Sequence, residues 1–105
     1  MTVSEHITTL LAVNRVVHEP ARLVILSILY AVDSADFTYL ANETGLTKGN
    51  LSSHLTRLEQ TKYVTLEKTY KGKMPLTICR ITADGGYAFE QYLRHMSGFL
   101  NHIET

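Results

Sequence analysis

The sequence predicts a mainly α domain with one small β-hairpin, its elements running helix, helix, helix, helix, hairpin, helix. Three observations predict this. Apolar residues recur at helical spacing in five stretches. Between Tyr63 and Thr82 that spacing gives way to a run rich in Val, Thr and Tyr around Lys71, Gly72 and Lys73, the composition of two strands and a tip. Finally, 105 residues, 45% of them hydrophobic, with 6 Gly and 2 Pro, describe one domain around a single core. A chain this long buries roughly 60 to 70% of its unfolded surface, so it needs neither a disulfide nor a structural metal. The lone Cys79 has no internal partner and fits a reducing cytosol.

The first helix is expected from Ser4, an N-cap residue type with Glu5 behind it, to about His18. Val3, Ile7, Leu10, Val13, Val16 and Val17, with Leu11 beside them, make a stripe wider than a short helix needs to sit on a small core. Pro20 opens a second helix in the favoured first-turn position, and Leu23, Val24, Leu26, Ile28, Leu29 and Val32 make it central and mostly buried. Residues Asp33 to Asp36 read as a polar break before a short third helix from about Thr38 to Thr44. Gly45 ends that helix, because glycine takes a left-handed C-cap without a Cβ penalty. Thr47 then caps a fourth helix, about Lys48 to Thr61, which buries Leu51, Leu55 and Leu58 at i, i+4 and i+7.

The hairpin follows, out along Tyr63 to Tyr70 and back along Leu76 to Thr82. Both parities of the return strand carry apolar side chains, so the pattern does not choose its inward face. Thr82 or Asp84 caps a last helix to about Ile103. Within it Phe89, Tyr92, Met96, Phe99 and Ile103 are spaced 3, 4, 3 and 4 apart, a short helix-packing seam widened by Leu93 and Leu100. No repeat, linker or low-complexity stretch divides residues 1–105, which read as a single domain.

The functional signal centres on Gly45. Leu40, Ala41, Gly45, Leu46 and Leu51 have the spacing of a helix-turn-helix over about 38–61: a small Ala lets two helices cross closely, Gly permits the turn, and leucines fix the angle. With the leucines of the fourth helix inward, a 100° step sets Gly49, Asn50, Ser53, Thr56, Arg57 and Gln60 outward, with Ser52 and Lys48 joining them. Arg pairs bidentately with guanine and Asn or Gln with adenine, while Ser and Thr reach base edges or phosphate. Lys48, Gly49 and Asn50 also stand at a helix N-terminus, where free amides and the dipole favour an anion. The basic tip at Lys71, Gly72 and Lys73 suits an adjacent groove or phosphate run, although lysines on an edge hairpin also serve solubility.

The charge distribution agrees. Ten Lys and Arg balance ten Asp and Glu over the whole chain. Yet from Leu46 to Arg80 seven of the ten basic residues face only Glu59 and Glu67, a net charge of +5. The remaining residues carry -5, so the chain is electrically polarised and its basic middle suits double-stranded DNA. An ordinary solvated helix face is the competing reading.

The run LTKGNLSSHLTRLEQTKYV from Leu46 to Val64, followed by Ile81, Thr82 and Gly85 ahead of the last helix, resembles the winged helix-turn-helix transcriptional regulators of bacteria and archaea, near the MarR and ArsR groups. Within it Ser53, His54, Leu55, Leu58, Glu59, Tyr63 and Val64 are similar to the family pattern, over about Val17 to Phe89. The resemblance implies a homodimer built from the terminal helices, about 4–18 and 83–103, a recognition helix from Lys48 to Thr61, and a wing within 63–82 tipped by Lys71 to Lys73. One position departs: such families usually carry Gly where this chain has Lys62. A left-handed residue there costs a non-glycine on the order of 1 kcal/mol, so a locally different turn is expected.

The terminal helices point to a homodimer on their own account, the competing reading being that both complete the monomer core with Asn14 at its edge. Ile7, Leu10, Leu11, Asn14 and Val17 at one end, and Phe89, Tyr92, Met96, Phe99, Leu100 and Ile103 at the other, exceed what one small core uses. Asn14 is expected within that seam, where a polar residue sets register. The five histidines, His6, His18, His54, His95 and His102, are the candidates for metal or pH sensing. His95 and His102 share a helix face, but four nitrogen or sulfur ligands are not assembled, so no metal and no cofactor are expected. His54 is expected to pack at the edge of the reading helix.

No nucleophile and base pair, phosphate-cradling loop or HExxH spacing points to an enzyme. No signal peptide is legible and the most apolar stretch, Leu23 to Val32, is about half of the roughly 20 residues a bilayer needs, so a cytoplasmic protein is expected. Together these readings give a homodimeric repressor on a pseudo-palindromic operator, acting by occlusion since no separate activation domain fits, with any small-molecule effector unknown. The alternatives are a winged helix that binds protein instead of DNA, and an ArsR-like sensor of metal or pH.

Overall fold

The structure, a computed structural model, describes residues 2–104. Five helices and three strands run α1 (Val3–Leu11), α2 (Pro20–Val32), β1 (Ser34–Asp36), α3 (Phe37–Thr44), α4 (Lys48–Gln60), β2 (Val64–Lys71), β3 (Met74–Ile81) and α5 (Ala83–Glu104). Val17, Ile25, Leu26, Leu29, Leu40, Leu51, Leu55, Leu58, Val64 and Cys79 are fully buried and form the core, with α2 in the middle. Each is removed from water almost completely, which is worth roughly 1.5 to 3 kcal/mol for a Val, Leu or Ile side chain.

α1 is shorter than expected and begins earlier. Thr2, not Ser4, is its N-cap: the Thr2 hydroxyl accepts from Glu5 N-H at 3.2 Å while the Glu5 carboxylate accepts from Thr2 N-H at 2.9 Å, a complete capping box. The helix then stops at Leu11 instead of His18. Asn14 explains the stop, because its Oδ1 accepts from Val16 N-H and Val17 N-H and so offers the backbone a turn in place of the helix. The freed segment folds inward and buries Val13 and Val17.

The predicted polar break contains a strand. β1 pairs antiparallel with β3, Ala35 opposite Cys79, making a three-stranded sheet in the order β1-β3-β2. Three residues are too few to show an alternating pattern, which is why the strand was not legible. The register also settles the inward face: Ala35, Cys79 and Leu66 lie side by side, and Val64 lies opposite Ile81, all toward the helices. Gly72, at φ 64°, supplies the positive φ that the tight turn between Lys71 and Met74 requires.

Expected turns elsewhere form as read. Gly45 is the left-handed C-cap of α3, its N-H donating to Ala41 O, and Thr47 caps α4 by accepting from Asn50 N-H at 3.1 Å. Thr82, rather than Asp84, caps α5, its hydroxyl accepting from Gly85 N-H at 3.0 Å. The expected change of turn at Lys62 does not occur. Lys62 adopts φ 64°, its N-H donating to Glu59 O and the Tyr63 N-H to Leu58 O, the paired bonds of a Schellman motif with lysine in the glycine position.

α1 packs on the far half of α5. α5 buries only Gly85, Ala88, Phe89 and Tyr92 near its start, and α1 buries nothing. The two helices therefore form an arm, which stretches the chain to 57 Å by 25 Å by 21 Å. No helix among the described residues is long and apolar enough to cross a membrane.

Candidate nucleic-acid interface

α3 and α4 meet at Gly45 with Leu40 and Leu51 fully buried between them and Ala41 half-buried beside. Three leucines, Leu51, Leu55 and Leu58, hold α4 down, so the opposite side of the helix is turned to solvent. Lys48, Gly49, Asn50, Ser52, Ser53, Thr56, Arg57 and Gln60 are all exposed there. Glu59 is the acid among them. At the N-terminus, Thr47 takes the Asn50 amide, and among the described residues the Lys48 and Gly49 amides find no partner in the chain. Free amides at a helix start favour a phosphate.

The hairpin rises from the C-terminal end of α4. Its tip residues Lys71, Gly72 and Lys73 are exposed, flanked by Tyr70 and Met74 at 71% and 69% exposure. Lys62, Lys68 and Arg80 are exposed as well. Thr82 braces the base of the hairpin: its N-H donates to Tyr63 O at 3.0 Å and its hydroxyl to Lys62 O at 2.7 Å. One residue thereby ties together the end of α4, the start of the hairpin and the cap of α5. Such a brace fixes where the tip stands relative to α4, which two separate contact elements need in order to reach one ligand.

Residues 21–100 match the family model described as a winged helix DNA-binding domain. The chain belongs to that family. This winged helix protein is 34% identical over 91 residues to an uncharacterized protein of Methanocaldococcus jannaschii, a match covering 86% of this chain and 98% of the relative. Among solved structures it resembles the transcriptional regulator homologue of Pyrococcus horikoshii OT3, with TM-score 0.88 and 25% identity over 96% of this chain and 99% of the other. An ArsR family transcriptional regulator shares the fold at TM-score 0.55 and 16% identity, over 95% of each chain. The winged helix fold that the run from Leu46 to Val64 resembles therefore stands.

The residues expected to meet a second copy divide into two groups. Val17, Phe89 and Tyr92 belong to this chain's own core and are not available at a surface, a correction: the inward turn after α1 carries Val17 in, and the start of α5 packs Phe89 and Tyr92 onto the core. Asn14 is likewise not in a helical seam: its Nδ2 donates to the Tyr63 hydroxyl at 2.7 Å. Leu10, Met96 and Phe99 are half-buried, whereas Ile7, Leu11, Leu100 and Ile103 are 48%, 73%, 48% and 61% exposed along the arm.

Among the described residues no three His, Cys, Asp or Glu side chains converge as a metal site would require. His102 stacks on His6 across the arm with ring centroids 5.1 Å apart, a pairing the sequence did not suggest, and His18 Nδ1 lies 2.9 Å from the Tyr92 hydroxyl. His54 does sit at the edge of α4, and there it meets two charged side chains, Arg22 and Glu19, from the start of α2. No periodic signal marks that meeting, since the residues are more than thirty positions apart.

Proposed function

We propose that this protein is a homodimeric, cytoplasmic, sequence-specific DNA-binding transcriptional repressor that occupies a pseudo-palindromic operator. The whole chain acts as one DNA-binding domain, with its helix-turn-helix at α3 and α4 and its wing at β2 and β3. The observation that carries this reading is the exposed face of α4, polar and basic, followed directly by an exposed basic hairpin tip. Asn50, Ser53, Arg57 and Gln60 read base edges in a major groove, with Ser52 and Thr56 beside them. Lys48 and Gly49 hold a phosphate at the helix start, and Lys71, Gly72 and Lys73 take the neighbouring backbone or minor groove.

The arm of α1 and α5 supports association. An exposed apolar stripe on α1 and the far half of α5, neither of which contains a buried residue, is the kind of patch a partner covers. A twofold pair joined along Ile7, Leu11, Leu100 and Ile103 would set two reading helices on half-sites about one helical turn apart.

Fluorescence anisotropy tests the reading, comparing DNA from upstream of the protein's own coding sequence with an unrelated duplex over a salt series. Specific binding that weakens steeply with salt, with a slope of about -0.9 for each phosphate neutralised, and that Arg57→Ala diminishes, is the expected result. Equal binding of both duplexes overturns the sequence-specific reading, and no binding at low salt overturns DNA binding and favours the protein-binding alternative.

A further inference from the structure

We propose that His54 is a positioning residue for DNA reading, held by Arg22 when neutral and released to Glu19 when protonated, so that acidification loosens the reading helix. The inference rests on the DNA-binding function proposed above. Nδ1 of His54 lies 3.2 Å from a terminal nitrogen of Arg22 and 3.6 Å from Oε2 of Glu19. An imidazole nitrogen accepts a hydrogen bond when it lacks a proton and donates one when it has it. The two contacts therefore belong to two states of the ring. With the proton on Nε2 alone, Nδ1 accepts from the guanidinium. With both nitrogens protonated, Nδ1-H faces a cation and has only the carboxylate to turn to.

Each partner is fixed independently of the ring. Arg22 spends its Nε-H on Val16 O at 2.6 Å and reaches Arg15 O at 3.5 Å, which anchors the guanidinium to the segment between α1 and α2. Glu19 is the N-cap of α2, its Oε2 accepting from Arg22 N-H at 2.8 Å. Burial pushes the Glu19 carboxyl up, but the backbone amides of Arg22 and Ala21 and the charges of His54 and Arg22 outweigh it and hold the group below its usual range. Among the described residues the ring makes no ion pair with α3 or β2, the other elements packed on α4. On its own helix Arg57 lies one turn further on, exposed.

The placement explains why this contact positions the helix. Leu51, Leu55 and Leu58 hold α4 by burial, which is strong but without direction. The half-buried His54 supplies a directional bond from the flank of the same helix. Asn50, Ser53 and Arg57 stand four before, one before and three after it, so a small rotation at His54 displaces every proposed reading side chain at once. Phosphate contacts tolerate such a displacement; base-edge contacts do not.

The test uses the full chain, its upstream DNA, an unrelated duplex and two variants, over a series from neutral to mildly acidic pH. In the wild type the ratio of specific to unrelated affinity is expected to fall about fivefold on acidification, the scale of one charge-assisted hydrogen bond partly replaced by another. His54→Asn sets an amide oxygen near the place of Nδ1 and does not titrate, so it is expected to keep the neutral ratio across the range. His54→Phe keeps the ring without an acceptor and is expected to show the reduced ratio at every pH, with circular dichroism confirming that it folds. A pH dependence that survives in His54→Asn, or a full ratio in His54→Phe, overturns the proposal. A two-bond 1H-15N spectrum of the DNA-free protein separates it from the DNA reading: an Nδ1-protonated neutral tautomer rejects the clamp whatever the DNA result, whereas an Nε2-protonated ring with no specific duplex rejects the DNA reading alone.

Discussion

Nδ2 of Asn14 donates to the hydroxyl of Tyr63 at 2.7 Å, joining the segment after α1 to the second residue beyond the C-cap of α4. The same Asn14 turns its Oδ1 to Val16 N-H and Val17 N-H. One side chain thus ends the first helix, sends Val17 into the core and ties the arm to the base of the wing. Because the bond is partly buried, losing one partner leaves the other unsatisfied.

Tyr63→Phe is expected to lower stability by about 1 kcal/mol, and Asn14→Ala by about 2 kcal/mol because it also removes two backbone caps. In the double variant the losses should fall short of their sum by about 1 kcal/mol, the shared bond being lost only once. Urea unfolding of the four proteins measures this. Strict additivity would mean that the two side chains do not interact in solution.

The backbone around Tyr63 gives a pair of opposite expectations. A Cβ at Gly85 would overlap the Tyr63 carbonyl oxygen and stand 2.9 Å from its carbon, both backbone atoms that are held in place by Thr82. Gly85→Ala should therefore cost on the order of 3 kcal/mol. Lys62 is already left-handed at φ 64° and carries a Cβ there, so Lys62→Gly should stabilise by about 0.5 to 1 kcal/mol after the added freedom of the unfolded chain is subtracted. Thermal melts should move in opposite directions; a Lys62→Gly melt below wild type would contradict the left-handed cap.

Cys79 should make stability depend on alkaline pH. Burial, with the Asp36 charge adding to it, pushes its thiol from an ordinary 9.0 to about 11. Below about pH 9 both folded and unfolded thiols keep their proton and the contribution is whole. As pH rises through 9 the unfolded thiol ionises while the folded one does not, so about 2 to 3 kcal/mol is lost by pH 11. Burial raises Tyr92 in the same sense and adds to the fall. Urea midpoints of wild type and Cys79→Ala should converge between pH 9 and 11, the variant being the less stable at pH 8 for its cavity and the less sensitive to pH.

Much of this molecule was legible because its signals are local. Pro20, Gly45, Thr47 and the leucines of α4 each act on neighbours within a turn or two, and all appear where the spacing puts them. What escaped depends on partners far along the chain. β1 exists only because β3 lies beside it, and Asn14, Arg22 and His54 acquire their roles through contacts 32 and 49 residues away. A stripe shows amphipathicity without showing whose core receives it, so Val17, Phe89 and Tyr92 look partner-facing in the sequence although they lie in the chain's own core.

The division of that stripe sharpens the test of association. Leu11 and Ile103 are the most exposed apolar residues of the arm, at 73% and 61%, and α1 buries nothing in its own chain. Charging both, as Leu11→Glu with Ile103→Glu, should leave the core and its helical signal intact. Light scattering should register a dimer in the wild type and a monomer in the variant at micromolar concentration. Linking two reading helices raises affinity for a two-half-site duplex by roughly 10²- to 10⁴-fold over one alone, so the variant should lose about hundredfold or more on the operator yet bind a single half-site as the wild-type protomer does. A wild type that is monomeric but specific, or a variant that remains dimeric, would place the partner surface elsewhere than on this arm.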